Sequence, residues 1–243
     1  MRYHLGGASG IPERRSRGVA ALLRTATPTI RDLAPDLIVL SGDLLEFPRS
    51  DADSRHPFDP IPGARRDLVY LRRWLEELAV PHVVIPGNHD DMALVEEVFH
   101  PSGTRDLGGY RLVTFHDPED ADHVPHRTGR QRERFEQVLA DPTSPPQIHL
   151  QHYLIWPPYR DGYPYAYADA EALAEQIVGS GNVRLVLSGH YHEGVPPLRL
   201  GDTWFAAAPA FCEPPYIFWA YDLAEDVLQH SAYHLAPKPG SHA

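Results

Sequence analysis

"VRLVLSGHYHEG", residues 183–194, joins a run of branched apolar residues to a glycine and to two histidines set one residue apart. The run from Val183 to Leu187 is short and rich in branched side chains, as strands buried on both faces are. Polar residues begin where the run stops. The same form recurs upstream: Asp36-Leu37-Ile38-Val39-Leu40 leads into Ser41-Gly42-Asp43, His82-Val83-Val84-Ile85 into Pro86-Gly87-Asn88-His89-Asp90, and Gln147-Ile148-His149-Leu150 into His152.

Between these strands the apolar spacing changes to that of a helix over Glu13 to Leu33, Ala64 to Ala79 and Ala170 to Ile177, with Leu68, Leu71, Leu75 and Leu78 as the clearest stripe. Pro28 is expected to kink or end the first of these. Strand and helix in alternation predict an α/β fold with parallel pairing. After residue 194 the pattern predicts consecutive strands over Val195 to Leu200, Thr203 to Ala207, Tyr216 to Leu223 and Val227 to His234, with turns at Gly201-Asp202 and Ala224-Glu225-Asp226. A mixed sheet, or two sheets packed face to face, follows.

Length and composition bound the function. A chain of 243 residues with 42% hydrophobic content suits one globular domain over residues 1–243, without internal repeats. No apolar stretch approaches the roughly 20 residues that cross a bilayer, and no charged region followed by an apolar core opens the chain, so a cytoplasmic protein without a membrane partner is expected. Cys212 stands alone and excludes an internal disulfide. A net charge of −11 argues against duplex nucleic acid as partner, while a small phosphorylated substrate stays compatible. Arginine supplies every basic residue except Lys238, a bias that genome composition explains more simply than phosphate binding. Nothing in the pattern signals an oligomeric state.

The prolines cluster at 46–63, 117–128, 142–146 and 153–164, which marks these as loops. The segment from Tyr153 through Trp156, Tyr159, Tyr163 and Tyr165 to Tyr167 has two readings: a wall that stacks on a planar group, or a loop packing its rings on the domain surface. For His116, His123 and His126 in "FHDPEDADHVPH" (115–126), a solvated acidic loop is preferred over an additional metal site.

In open α/β sheets ligands bind at the carboxyl ends of the strands, so Asp43, Asn88, His89, His152, His190 and His192 are expected to converge. Glycine before Asp43, Asn88 and His190 is expected to supply the sharp turns. A carboxylate, an amide oxygen and several imidazoles form an O/N donor set suited to manganese, iron or zinc rather than to a thiolate-preferring ion. Each piece alone has a common structural explanation as turn, cap or core histidine. Their order at four successive strand ends does not.

The stretches "SGDLLE" (41–46), "PGNHDD" (86–91), "LQHYLIWPP" (150–158) and "SGHYHEG" (188–194) resemble the GD, GNH[DE], strand-end H and GHxH blocks of the calcineurin-like metallophosphoesterases. The resemblance implies a four-layer α-β-β-α sandwich with two mixed β-sheets, and a centre for two divalent metal ions, Mn, Fe or Zn. It implies that Asp43 bridges the metals, that Asn88, His152 and His190 complete one site, and that His192 serves the other. His89 resembles the histidine that protonates or orients the leaving oxygen, with Asp90 as its support.

The family opens with a strand and Asp-x-His, where this chain reads "MRYHLGG". His4 aligns with the end of that block, but Arg2 stands at the aspartate position, and a guanidinium cannot donate to a cation. The first central strand is therefore expected to be missing from this sequence. Because an omitted interior strand leaves unpaired backbone groups, the natural polypeptide is expected to extend upstream by about ten residues.

The implied activity is metal-dependent phosphoester hydrolysis by a metal-activated hydroxide, needing no serine or cysteine nucleophile. A phosphodiesterase for a small substrate is favoured by the acid candidate His89 and the aromatic segment. The alternatives are a phosphomonoesterase or nuclease of the same family, or a degenerate binding scaffold without catalysis.

Overall fold

A computed structural model describes residues 18–45, 61–100, 103–158, 166–224 and 227–235. The chain forms two compact units, the first comprising Met1–Pro101, Ala210–Phe218 and Ala232–Ala243, the second Ser102–Pro209 and Trp219–Ser231. Together they give an α/β fold with mixed sheets.

In the first unit run α1 (Val19–Leu33), β1 (Ile38–Leu40), α2 (Ile61–Leu78), β2 (His82–Val84) and α3 (Met92–Phe99). The predicted stripe of α2 is the buried one: Leu68, Leu71, Leu75 and Leu78 pack with Leu22, Leu23, Ala26 and Ile30 of α1 in one core. Burying a leucine side chain stabilises by about 1.5–3 kcal/mol, so these faces hold the helices together. The Thr27 hydroxyl accepts from the Trp74 indole at 3.0 Å and donates to the Leu23 carbonyl at 2.8 Å, joining α2 to α1. Pro28 does not end α1, which continues to Leu33. Buried Ala26 and Ile30 on either side hold the turn that the missing N–H weakens. Asp91 caps α3 by accepting from the Leu94 amide at 2.9 Å.

The second unit contains β3 (Thr104–Leu107), β4 (Tyr110–Thr114), α4 (Gly129–Ala140), β5 (Gln147–Leu150), α5 (Ala170–Ser180), β6 (Val183–Ser188), β7 (Val195–Leu200) and β8 (Thr203–Ala207). Its sheet has the order β3-β4-β5-β6-β8-β7; the outer pairs are antiparallel and the inner ones parallel. Val113, Phe115, Phe135, Leu173, Ile177, Val186 and Phe205 form its core. The remaining strands, β9 (Ile217–Ala224) and β10 (Val227–His234), pair with each other. Phe218 stacks on Tyr233 at 5.1 Å, and Trp219 meets His230 at 5.3 Å. Among the described residues no helix is long and apolar enough to cross a membrane.

Parallel pairing places neighbouring strand ends side by side within each unit. β1 and β2 run in register from Ile38–His82 to Leu40–Val84, and the Ile85 amide continues to the Leu40 carbonyl at 2.9 Å. The loops beyond are tied by Asp90, whose carboxylate accepts from the amides of Leu45 (2.7 Å), Gly87 (2.8 Å) and Leu44 (3.2 Å). In the second unit the Gln151 amide reaches the Leu187 carbonyl at 3.1 Å, and Gly189 reaches His152 at 2.8 Å.

The glycine expectation needs correction at two of three positions. Gly42 has φ 102° and turns the chain as expected, but Asp43 itself is left-handed at 54°; after β6 it is His190, at 63°, and not Gly189 that takes this conformation. Gly87 is not in the left-handed region either; its amide is a ligand of Asp90. Aspartate and histidine enter this region more readily than bulky residues, so the site residues carry the turn themselves.

Replacing Asp90 by alanine strands three backbone donors and should lower unfolding free energy by roughly 2–4 kcal/mol, measured by urea titration. Gly194, at φ 75°, leaves a Cβ only 3.0 Å from the Pro209 nitrogen and 3.1 Å from the Ala207 oxygen. Gly194→Ala should cost about 1–3 kcal/mol in the same measurement.

Candidate functional site

The first unit carries Asp43, Asn88, His89 and Asp90 on the two loops that follow β1 and β2, all half-buried. Asp43 Oδ1 accepts the His89 amide at 3.1 Å, so the loop that carries the acid candidate is anchored on the proposed bridging carboxylate. Asp90 is close enough to Asp43 for the two carboxylates to interact. Burial, and then the adjacent Asp43 carboxylate, push its pKa up to about 6 against the opposing pull of the Gly87, Leu45 and Leu44 amides. Two carboxylates at such close quarters concentrate negative potential at the strand ends, the field that attracts a cation.

The second unit carries His152 after β5 and His190 and His192 after β6. His152 is buried, and its Nε2 faces Nδ1 of His190 at 3.1 Å. The ring centroids are 4.9 Å apart and inclined at 72°. Tyr153 abuts both rings, 5.0 Å from His152 and 4.8 Å from His190. Two imidazole nitrogens this close suit a shared cation or a shared hydrogen bond, with the tautomer deciding which. His192 is half-buried in the loop between His190 and Gly194. His4 and Arg2 lie outside the described residues.

His149 shows the contrast on the same strand. Its Nε2 is bonded to Gln147 Oε1 at 2.8 Å and its ring packs against Phe115 and Phe135. Burial first, then the charges of Arg127 and Arg134, drive its pKa well below the ordinary value, which keeps it neutral. It is a core residue.

The acidic loop is closed by its own contacts: His126 Nε2 pairs with Asp120 at 2.9 Å, His123 Nδ1 with Glu119 at 3.1 Å, and Asp120 also accepts from the Asp122 and Val124 amides. Among the described residues this loop gathers no set of three metal-ligating atoms. Of the aromatic segment, Tyr153 and Tyr167 are core residues, 5.9 Å apart edge to face. Trp156 is partly buried against the same core, and residues 159–165, with Tyr159, Tyr163 and Tyr165, lie outside the described residues.

Sequence reasoning passed over a buried polar cluster in the second unit. Arg127, Asp117, Gln151 and Tyr167 are all buried and hydrogen-bonded to one another. Its one sequence signal is Gln151, a polar residue directly after the apolar run of β5.

The chain is similar to known proteins in sequence and in fold. The calcineurin-like phosphoesterase family matches residues 14–194. A probable cyclic nucleotide phosphodiesterase of Synechococcus sp. is 29% identical over 210 residues, covering 82% of this chain and 74% of that protein. Among solved structures, a dimetal phosphatase from Danio rerio superposes with a TM-score of 0.66 at 16% identity, covering 95% of this chain and 94% of the other. A protein of Thermus thermophilus does so with a TM-score of 0.55 at 19% identity, covering 88% and 93%. The fold is shared with both. Family membership implies divalent metal binding, and the chain belongs to the calcineurin-like phosphoesterase family, the metal-dependent hydrolases of phosphoester bonds.

Proposed function

We propose that this protein is a phosphodiesterase for small phosphodiesters, cyclic nucleotides first among them, acting as one domain over residues 1–243. The nitrogens of His152 and His190, 3.1 Å apart after adjacent parallel strands, carry the reading, because imidazoles this close can supply two donors to one divalent ion. The Synechococcus relative supports the substrate class.

In this reading Asp43, Asn88, His152 and His190 hold one divalent ion, and His192 and His4 belong to a second, with Asp43 shared. When bound, the ions lower the pKa of a water and neutralise the phosphoryl oxygens for in-line attack. The chain's own part is positional and acid–base. The His89 imidazole protonates the leaving oxygen, which an alkoxide requires and a nitrophenolate does not. Its backbone bond to Asp43 sets the acid beside the metal-holding carboxylate, and Asp90 keeps that loop in place.

Three outcomes are expected. Supplementation with manganese, iron or zinc should load at least one equivalent by elemental analysis, and His152→Ala or Asn88→Ala should empty it; a protein that takes up none contradicts the ligand set. His89→Ala should keep the metal and slow hydrolysis of alkyl diesters by roughly 10²- to 10⁴-fold, with a smaller loss for nitrophenyl esters. The loaded enzyme should turn over 3′,5′-cyclic nucleotides and bis-p-nitrophenyl phosphate faster than p-nitrophenyl phosphate or single-stranded DNA, and the reverse order would identify a monoesterase or a nuclease.

A further inference from the structure

We propose that Arg127, working through Gln151 and Tyr167, is a positioning residue that sets the orientation of the His152–His190 imidazole pair; the inference rests on the reading that this pair holds a metal.

The side chains of Arg127 and Asp117 are fully buried, 0% exposed in both cases. Arg127 Nη2 donates to Asp117 Oδ2 at 2.8 Å and Nε to the same carboxylate at 3.2 and 3.3 Å. The guanidinium lies over the Phe115 ring, 3.9 Å from its centroid. Taking two such charges out of water costs several kcal/mol per ion, and well-packed apolar residues would serve the core as well. Stability alone therefore gives no reason for this pair. What distinguishes it is where its remaining hydrogen bonds go.

Nη2 also donates to Gln151 Oε1 at 2.7 Å, and Gln151 Nε2 donates in turn to the Tyr153 carbonyl at 2.9 Å. Both links flank His152. The second route runs through Tyr167, whose hydroxyl donates to Asp117 and accepts from Arg127 at 3.4 Å. Burial, and then the Asp117 carboxylate, push this phenol well above its ordinary pKa, so it remains a donor. The Tyr167 ring meets Tyr153 at 5.9 Å, and Tyr153 abuts both imidazoles. The strand ladder fixes the backbone at His152 through the Gly189 amide, but it does not fix the torsions of the ring. The Arg127 cluster holds Tyr153 by its backbone and by its ring, and Tyr153 forms the wall against which both imidazoles rest. Partners of this kind orient ligands without touching the metal.

The test uses the full chain, stripped of metal and titrated with Co²⁺, reading the dissociation constant and the ligand-field absorption bands. Gln151→Leu keeps the volume and removes both amide bonds, and Tyr167→Phe removes only the hydroxyl. Each should raise the Co²⁺ dissociation constant, Gln151→Leu by about 10- to 100-fold, and shift the bands. A purely structural role would lower the unfolding midpoint and leave both readouts of the folded protein unchanged, which would overturn the proposal. If Gln151→Leu does not fold, Tyr167→Phe decides by the same criteria. His152→Ala separates the two levels: if it binds Co²⁺ as tightly as the unaltered chain, the metal reading itself fails, whereas loss of binding there with unchanged Gln151→Leu and Tyr167→Phe refutes only the positioning role.

Discussion

In a parallel pair both strands run out at the same end, so whatever follows Leu40 must meet whatever follows Val84, and whatever follows Leu150 must meet whatever follows Leu187. Had either pair been antiparallel, one loop of each would lie a full strand length away. Residues separated by nearly forty positions, His152 and His190, are neighbours for this reason, and Asp90 can reach the amides of Leu44 and Leu45 for the same one. The helices between the strands make that pairing possible, since a parallel crossover needs a dozen residues or more, and burial of their apolar stripes holds the crossover down.

The loops beyond the strands carry unfavourable terms that only the surrounding structure sustains. Asp43 and His190 sit in the left-handed region, at an expected cost on the order of 1–3 kcal/mol each. Asp90 is desolvated beside another carboxylate, which raises its pKa toward neutrality. Three backbone amides hold the Asp90 carboxylate in place. Strain and like-charge crowding at strand ends, next to well-packed helices, are the features by which a functional site is sought in a structure.

Much of this was legible because the signals were local. Short runs of branched residues followed by polar strand-end residues gave β1, β2, β5 and β6, and the alternation after residue 194 gave β7 to β10 to within a residue at either end. Of the elements that escaped notice, which include α3 and β4, two lacked such a signal. β3 is polar and exposed at the sheet edge over Thr104, Arg105 and Asp106, and its turn, Gly108-Gly109, was its main local mark. α4 buries only Phe135, too little for a helical stripe to show. Pro28 does not end its helix because local propensity yields to packing when the residues around it are buried. The glycines before Asp43 and His190 suggested where the chain turns, but not which residue bears the positive φ, because that depends on the hydrogen bonds each loop makes.

The buried Arg127 cluster escaped for a different reason. Arg127 and Asp117 come from a proline-rich acidic loop, Gln151 from the position just after β5 and Tyr167 from the segment before α5, and no spacing rule links them. Polar residues in such a loop read as solvated, yet Phe115 and Phe135 cover the guanidinium on one side and Tyr167 closes the carboxylate. A stretch can therefore be surface-like in composition and core-like in place, and the residue that betrays it is the one whose position is unambiguous. Gln151 directly follows the buried strand β5, between buried Leu150 and buried His152. A polar side chain there must find partners within the core, since an unsatisfied buried amide costs more than the hydrogen bonds return elsewhere. Arg127 and the Tyr153 carbonyl are those partners, so the requirement of one amide links the acidic loop to the strand end that carries His152.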